Sequence, residues 1–310
     1  MASQTLAEAK KLVQDQLIMG VVQDIIDINP MYSLLPFAGY SGQAILVNRE
    51  NALGDAGLYA VDATITNKAA ATFTQVPFTS TKLIGDVELD GLVQAQSVGG
   101  GVDQLAVEIS SKAKAVGRLF QQGIATGTGT SPQMNSLHSL VDSGQFTTAS
   151  AGQALSFALL DELLDLVLSK NGDVDWLMMP ARTIRSYKIL LRALGGTSAT
   201  EVLSLPDGRQ VIGYEGIPIF KNSFLSVVET ANGAALAGGA LASVWAGNFD
   251  DGSEKIGVAG IHPIAVPAGI QIEMIGKQEA RDNDIVRVKQ YANFCNFNRK
   301  GLARLPSINN

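Results

Sequence analysis

The chain has 310 residues, 46% hydrophobic and 17% charged, enough for a packed core in one large domain or two modest ones. Twenty-three Lys and Arg against 29 Asp and Glu leave a net charge of −6, which argues against a dedicated nucleic-acid binder without excluding a local basic patch. Cys295 is the lone cysteine, so no disulfide framework or cysteine-rich zinc site is expected, and no apolar run reaches the roughly 18 residues of a membrane helix.

At the N-terminus, Leu6, Ala9, Val13, Leu17, Val21, Ile25 and Ile28 recur at steps of three or four. That spacing predicts an amphipathic helix, or a pair broken at Gly20, stopped by Asn29-Pro30. Its apolar stripe needs a partner surface, in its own chain or another. Glu8 and Asp15 among polar neighbours exclude a secretory signal. A soluble protein made in a reducing cytoplasm is the expectation.

Residues 43 to 90 have a different composition. "AILVN" and "KLIGDVELD" read as strands. Between them lie more than thirty residues rich in Thr, Ala and Gly and thin in large apolar groups. Their β-branched residues predict extended structure, and Pro77 an edge position. A structureless loop of that length is improbable inside a compact domain. A projecting β-hairpin, too poor in apolar surface for a core of its own, is the reading. Something outside the domain would order it.

From 102 to 124, Val102, Leu105, Ile109, Ala113, Val116, Phe120 and Ile124 step by three and four throughout, predicting a helix about 33 Å long. "GIATGTGTSPQMNSL" follows it. A Walker loop would need G-x-x-x-x-G-K-[ST] and a dinucleotide loop G-x-G-x-x-G opening a helix; neither pattern is met. These glycines close a helix instead of opening one, so no helix N-terminus faces the loop to receive an anion. The segment reads as a helix stop and turn.

An α/β stretch comes next. "SFALLDELLDLVLSKNG" predicts a helix capped by Ser156, with Phe157, Leu160, Leu164 and Val167 on one face and Asn171-Gly172 as its stop. "DWLMMP" is a short buried strand. "RTIRSYKILLRALGG" predicts a second helix with Ile184, Tyr187, Leu191 and Leu194 inward. "GIPIFKNSF" and "LASVWAGNF" are further strands, and "AGIQIEMIG" and "DIVRVKQYANFCNF" two more around the turn "KQEARDND".

No catalytic constellation stands out. His138 and His262, the two histidines, lack any local ligand spacing. Glu279, Asp282 and Asp284 are interleaved with Lys277, Arg281 and Arg287, as in a solvated turn. Ser131, Ser136 and Ser139 lack a G-x-S-x-G elbow. Cys295 reads as a small buried apolar group.

The order of parts resembles tailed-phage major capsid proteins of the Hong Kong 97-type fold, an α+β architecture shared with encapsulin shells. "TLAEAKKLVQDQLIMGVVQDIIDINPMYSLLPF" is similar to the N-terminal arm of one capsid group, and "NRENALGDAG" to its hairpin. "GIATGTGTSPQMNSLHSLV" resembles the family's glycine-rich turn, and "DWLMMPARTIRSYKILLRALGG" the helix of its axial domain. "GYEGIPIFKNSFL", "WAGNFDDGSEKIGVAG" and "IGKQEARDNDIVRVKQY" extend the likeness over nearly the whole chain.

The resemblance implies an N-terminal arm over 1–42, an extended hairpin over 43–90 and a peripheral domain with the spine helix over 91–153. It implies an axial domain over 154–260 and closing strands of the peripheral domain over 261–310. It implies homo-pentamers and homo-hexamers forming an icosahedral shell that encloses double-stranded phage DNA without sequence-specific binding. The protein would be made in the host cytoplasm and reside in the virion. No membrane, metal or cofactor is implied. Separate scaffolding, portal and decoration proteins are candidate partners. Relatives often carry a scaffolding segment before the arm; here Met1 opens directly on the arm, so a separate scaffolding protein, or none, is expected. Some relatives crosslink a hairpin lysine to a neighbour's asparagine. Lys68 and Lys82 are available, but no surrounding motif supports that chemistry. Leu17, Val21 and Ile25 of the arm, with Leu58, Tyr59, Lys68, Phe73, Val76 and Phe78 of the hairpin, are the residues expected to make the intersubunit contacts. An encapsulin-type compartment is the alternative of the same fold. A soluble enzyme and a tail or decoration protein are alternatives of other classes.

Overall fold

A computed structural model describes residues 31–99, 103–147, 152–193, 202–206 and 208–309. Leu17, Val21 and Ile25, with the rest of the arm up to Pro30, lie outside the described residues. The chain enters through a short helix, α1 (Met31–Leu34), and β1 (Phe37–Tyr40). The hairpin strands β2 (Ile45–Ala52) and β3 (Thr72–Phe78) follow, then β4 (Thr81–Asp90) and α2 (Gly91–Gly99).

The spine helix α3 runs Gln104–Thr126. The Asp103 carboxylate caps it, accepting from the Leu105 and Ala106 amides at 3.0 and 3.3 Å. Leu105, Val116, Phe120 and Ile124 form its buried stripe, as their spacing predicts. Gly127 ends it. A Cβ there would stand 2.2 Å from the Met134 carbonyl oxygen, so the chain can double back at this point only past a glycine. The Gly129 amide then donates to that same carbonyl at 2.9 Å. The glycine-rich segment is a turn, as read, and the short helix α4 (Leu137–Leu140) follows it.

Five strands form the sheet beneath the spine. β13 (Asn283–Asn296) pairs antiparallel with β4 along one side, and with β12 (Gln271–Lys277) and β11 (Val258–Pro263) along the other; β1 completes the sheet beside β11. Strand alternation puts Leu83, Val87 and Leu89 with Val286 and Val288 in the buried layer that α3 covers. Asp86 and Arg287, one residue out of phase, meet on the other face in a two-pronged ion pair at 2.8 Å.

The second sheet has seven strands in the order β5-β14-β10-β6-β9-β8-β7. These are β5 (Gln153–Ala154), β6 (Trp176–Met179), β7 (Val202–Ser204), β8 (Gln210–Tyr214), β9 (Ile217–Lys221), β10 (Leu241–Gly247) and β14 (Leu302–Asn309). Helices α5 (Phe157–Asp165) and α6 (Ala181–Ala193) pack on one face. Trp176 and Met178 of β6 point into the core shared with α3, and Leu177 and Met179 into the core under α5 and α6. A strand buried on both faces explains the unbroken apolar run "WLMM".

Three details depart from the sequence reading. Residues 302–309 pair with β10 and β5, away from the first sheet; the 3-10 turn at Arg299–Gly301 separates them from β13, and Leu302–Ile308, buried throughout, suit an interior strand. β4, read within the 43–90 hairpin, is a full member of the first sheet, leaving β2 and β3 as the hairpin itself. Finally, α5 stops at Asp165, well before Asn171-Gly172. Lys170 and Asn171 hold left-handed backbone angles, φ 54° and 58°, in a separate 3-10 turn. Leu159, Leu160 and Leu163 fill the buried face, with Phe157 and Leu164 only partly covered and Val167 buried beyond the helix end.

Candidate assembly surface

The hairpin divides into an anchored base and a bare tip. At the base, Ile45 pairs with Phe78 and Val47 with Val76. All four pack on Tyr40, Ile261, Cys295 and Phe297. Arg49 fastens the outer edge: its guanidinium donates to the Phe297 carbonyl at 3.2 Å and to the Asn296 carbonyl, and lies 5.7 Å over the Phe78 ring. Phe78 is only 5% exposed, and Val76 is half-buried beside it. Their apolar faces are therefore taken up by their own chain, contrary to the intersubunit contact expected of them.

Residues 53–71 hold no strand. Their order comes from a polar knot around Tyr59. Its hydroxyl donates to Asn67 Oδ1 at 2.6 Å and accepts from the Thr66 and Asn67 amides at 2.9 and 2.7 Å. The Asn67 side-chain amide donates to Asp55 at 2.6 Å, and the Asp55 amide to the Ala69 carbonyl at 2.9 Å. Contact with Thr66 and the amides holds the phenol below its ordinary pKa, because those donors favour the phenolate. Tyr59 thus shapes the tip from within.

The apolar side chains of the tip have no such partners. Leu58 is fully exposed and Val61 94% exposed, with Leu53 and Ile65 exposed as well; on the strands below the tip, Leu46 and Phe73, the latter at 68%, are exposed too. Lys68 is exposed among them. Of the residues the sequence singled out for intersubunit contact, Leu58 and Phe73 are exposed; Leu46, Leu53, Val61 and Ile65, equally exposed, were not named. The signal was there: each is a large apolar residue in a segment otherwise too polar to bury it. β12 was missed too; its Ile272 and Met274 share a face with buried Val288 and Val286, yet are exposed.

Beneath the hairpin runs a cleft of about 1060 Å³, lined by Arg49 and Glu50 on one wall and by Asp142, Asp165, Lys255 and Arg299 on others. Arg299 pairs with Asp142 at 3.3 Å, and the Ser143 hydroxyl donates to the same carboxylate at 3.3 Å. Among the described residues no cluster of His, Cys, Asp and Glu could hold a metal ion.

One titratable cluster is buried. Arg304 donates to Glu229 at 3.1 Å and to the Ser243 hydroxyl at 3.0 Å, with its guanidinium 5.1 Å over Trp245. His138 sits edge-on to Trp245 at 4.7 Å, with Nε2 3.6 Å from Glu229. Burial first, then the Arg304 charge, pushes His138 down to about 3. Burial raises Glu229 against the opposing pull of Ser243 and Arg304. The cluster, with Glu229, Ser243 and Arg304 buried, ties the turn after the spine to the second sheet as a structural staple. His262 Nδ1 lies 3.0 and 2.8 Å from the Pro263 and Val266 carbonyls and holds a turn. Burial pushes the Cys295 thiol up, so it is no thiolate nucleophile.

No family model and no curated protein matches the sequence. Solved structures do. A chain of the holo-SrpI encapsulin complex from Synechococcus elongatus PCC 7942 is 15% identical with a TM-score of 0.68, covering 100% of this chain and 97% of that one. A chain of the cyanophage A-1(L) capsid asymmetric unit is 11% identical with a TM-score of 0.69, covering 99% and 100%. A chain of the phage G assembly of major capsid and decoration proteins is 11% identical with a TM-score of 0.63, over 99% and 100%. Identities this low speak for architecture alone, and over the whole length of both chains that architecture agrees: this chain has the Hong Kong 97-type fold of phage capsid and encapsulin shell subunits.

Proposed function

We propose that the chain is the major capsid protein of a tailed phage. It self-assembles into pentamers and hexamers of an icosahedral shell that encloses double-stranded DNA without reading its sequence. It is made in the host cytoplasm, resides in the virion, and has a structural role with no catalytic one. Residues 1–42 act as an arm, the hairpin as the strap to a neighbour, and the two sheets as the cores of the peripheral and axial domains. Decoration, portal and separate scaffolding proteins are its further partners.

The observation that carries this reading is the hairpin: a shell-subunit fold matched over its whole length projects Leu58, Val61 and Phe73, which no described residue covers. Burial of such groups against a neighbour is what drives obligate assembly. Electron microscopy of the purified protein tests it. Closed icosahedral particles are expected; a monomer or small oligomer at all concentrations would defeat it. A second reading, an encapsulin-type compartment, is favoured by the likeness to the encapsulin chain. Particle contents separate the two: nuclease-protected DNA supports the capsid, and a co-purifying protein cargo supports the compartment.

A further inference from the structure

The two helices over the seven-stranded sheet differ in charge as much as two helices of one layer can. α5 carries Asp161, Glu162 and Asp165 and no Lys or Arg; α6 carries Arg182, Arg185, Lys188 and Arg192 and no carboxylate. Both bury apolar stripes in one cluster, and Phe157 of α5 meets Tyr187 of α6 edge-on at 6.3 Å. α5 packs on β14 and β10. The Tyr187 hydroxyl donates to the Gly213 carbonyl of β8 at 3.0 Å, which ties α6 to the other end of the sheet. β6 and β9 lie between. Tyr214 of β8 also stacks on Phe157 and its hydroxyl donates to Asp161 of α5, so an acidic helix and a basic helix lie side by side in one layer.

The exposed faces sharpen this. At about 100° per residue, half-buried Glu162 lies about 140° around α5 from Phe157, on the flank turned from α6. Asp165 is exposed, and just beyond it Leu168 is exposed too. On α6, Arg185, Lys188 and Arg192 are exposed at helical spacing. Among the described residues none of these three makes an ion pair. Ile189, 61% exposed, sits between them. A phosphate backbone has no use for an apolar centre, whereas a protein partner does, ringed by charges that set orientation.

We propose that the acidic α5 face of one copy docks on the basic α6 face of a second copy, so that head-to-tail repetition builds a charge-matched seam within a ring. The partner is another copy because one chain supplies both complementary halves. This inference rests on the shell reading above.

The test uses three full-length variants: Arg185→Glu/Arg192→Glu, Glu162→Lys/Asp165→Lys, and all four changes together. Thermal unfolding checks that each subunit folds; sedimentation and microscopy count rings and shells. Like-charge contact should reduce assembly of either double variant at least about tenfold. The four-fold variant should assemble again, and an equimolar mixture of the two doubles should recover alternating six-membered rings, which no contact within a chain can explain; a five-membered ring cannot alternate, so closed shells are not expected of the mixture. If a reversal unfolds the subunit, Arg185→Gln/Arg192→Gln replaces it, with a smaller loss expected. Normal assembly of both doubles would overturn the seam while leaving the shell intact. So would folded doubles whose mixture forms no six-membered rings, or doubles that form full shells but retain less DNA, since the basic face would then serve a polyanion. No particles from the unaltered chain would overturn the shell reading, and the seam with it.

Discussion

The hairpin tip and the helical layer over the seven-stranded sheet use similar apolar residues under opposite conditions. Leu159, Leu160 and Leu163 of α5 meet a sheet and a second helix and vanish from solvent. Leu58, Val61 and Ile65 stay exposed among the described residues. A helix on a sheet makes two layers and closes a core within one chain. Two strands alone cannot, and their conformation is marginal without outside support. Here the Tyr59–Asn67–Asp55 knot supplies local order by hydrogen bonds, and the apolar groups stay exposed. The lesson is that exposure follows from layer number, not from composition alone.

The most severe way to break this contrast is to remove the tip. Replacing residues 53–70 with a short Gly/Ser linker spares Ile45, Val47, Val76 and Phe78, which belong to the base. Subunit unfolding should stay cooperative and nearly unchanged, while closed particles vanish in sedimentation. A larger cut through Phe78 would confuse the two effects, because that ring is core.

The opposite break leaves the tip alone and strikes the body. Arg304→Met strands the Glu229 carboxylate in a buried site, at a cost of about 3–5 kcal/mol. Urea denaturation should report it as a shifted midpoint with an unchanged slope. Because burial already raises the Glu229 pKa, protonation should recover part of the loss in mild acid.

The same cluster gives the body an acid limb. Folded His138 is held down to about 3, against about 6.5 unfolded. Between those values the unfolded chain binds a proton that the folded chain refuses. Stability from this group is therefore complete above about pH 6.5 and lost as pH falls toward 3, by up to a few kcal/mol. Glu229, with its raised pKa, works in the other direction above the carboxylate range. Midpoint against pH for His138→Gln should be flatter than for the parent between about pH 6 and 4; parallel curves would remove His138 as the cause.

Much of this architecture was legible in the sequence, for reasons that differ by element. α3 was, since seven apolar residues at helical spacing leave no other face to bury. β6 was, since four large apolar residues in a row need cover on both sides. The end of α5 was not: Leu166 and Val167 continue an apolar pattern past Asp165, and tertiary packing, not propensity, sets the stop. β14 was assigned to the wrong sheet because strand partners depend on the chain's return path, which periodicity does not encode. Within the site, exposed Leu58 and Phe73 were read from composition. Val76 and Phe78 were misjudged because alternate residues of one strand face opposite ways, and the face is set by register with β2.

A smaller effect should follow at the turn that closes the spine. Gly127→Ala sets a Cβ against the Met134 carbonyl and backbone atoms that cannot swing aside. Overpacking of that kind costs about 1–3 kcal/mol, visible in the unfolding midpoint. Assembly of whatever folds should be normal, since the turn lies in the body.

The smallest expected change in stability is also the sharpest test of the comparison. Phe73 lies on the hairpin at 68% exposure, across from Glu50 in the β2–β3 register. Phe73→Ser removes a ring that its own chain barely touches, so the subunit's unfolding should move by no more than about 0.5 kcal/mol, the range of surface substitutions. If the ring is buried by a neighbour, its loss recurs at every copy of that contact, and small deficits multiply through a closed shell. The concentration needed for assembly should rise severalfold while the midpoint of unfolding stays in place. A shift in the midpoint with normal assembly would mean that Phe73 works within its own chain, as Phe78 does, and the boundary between base and tip would have to move outward along the hairpin.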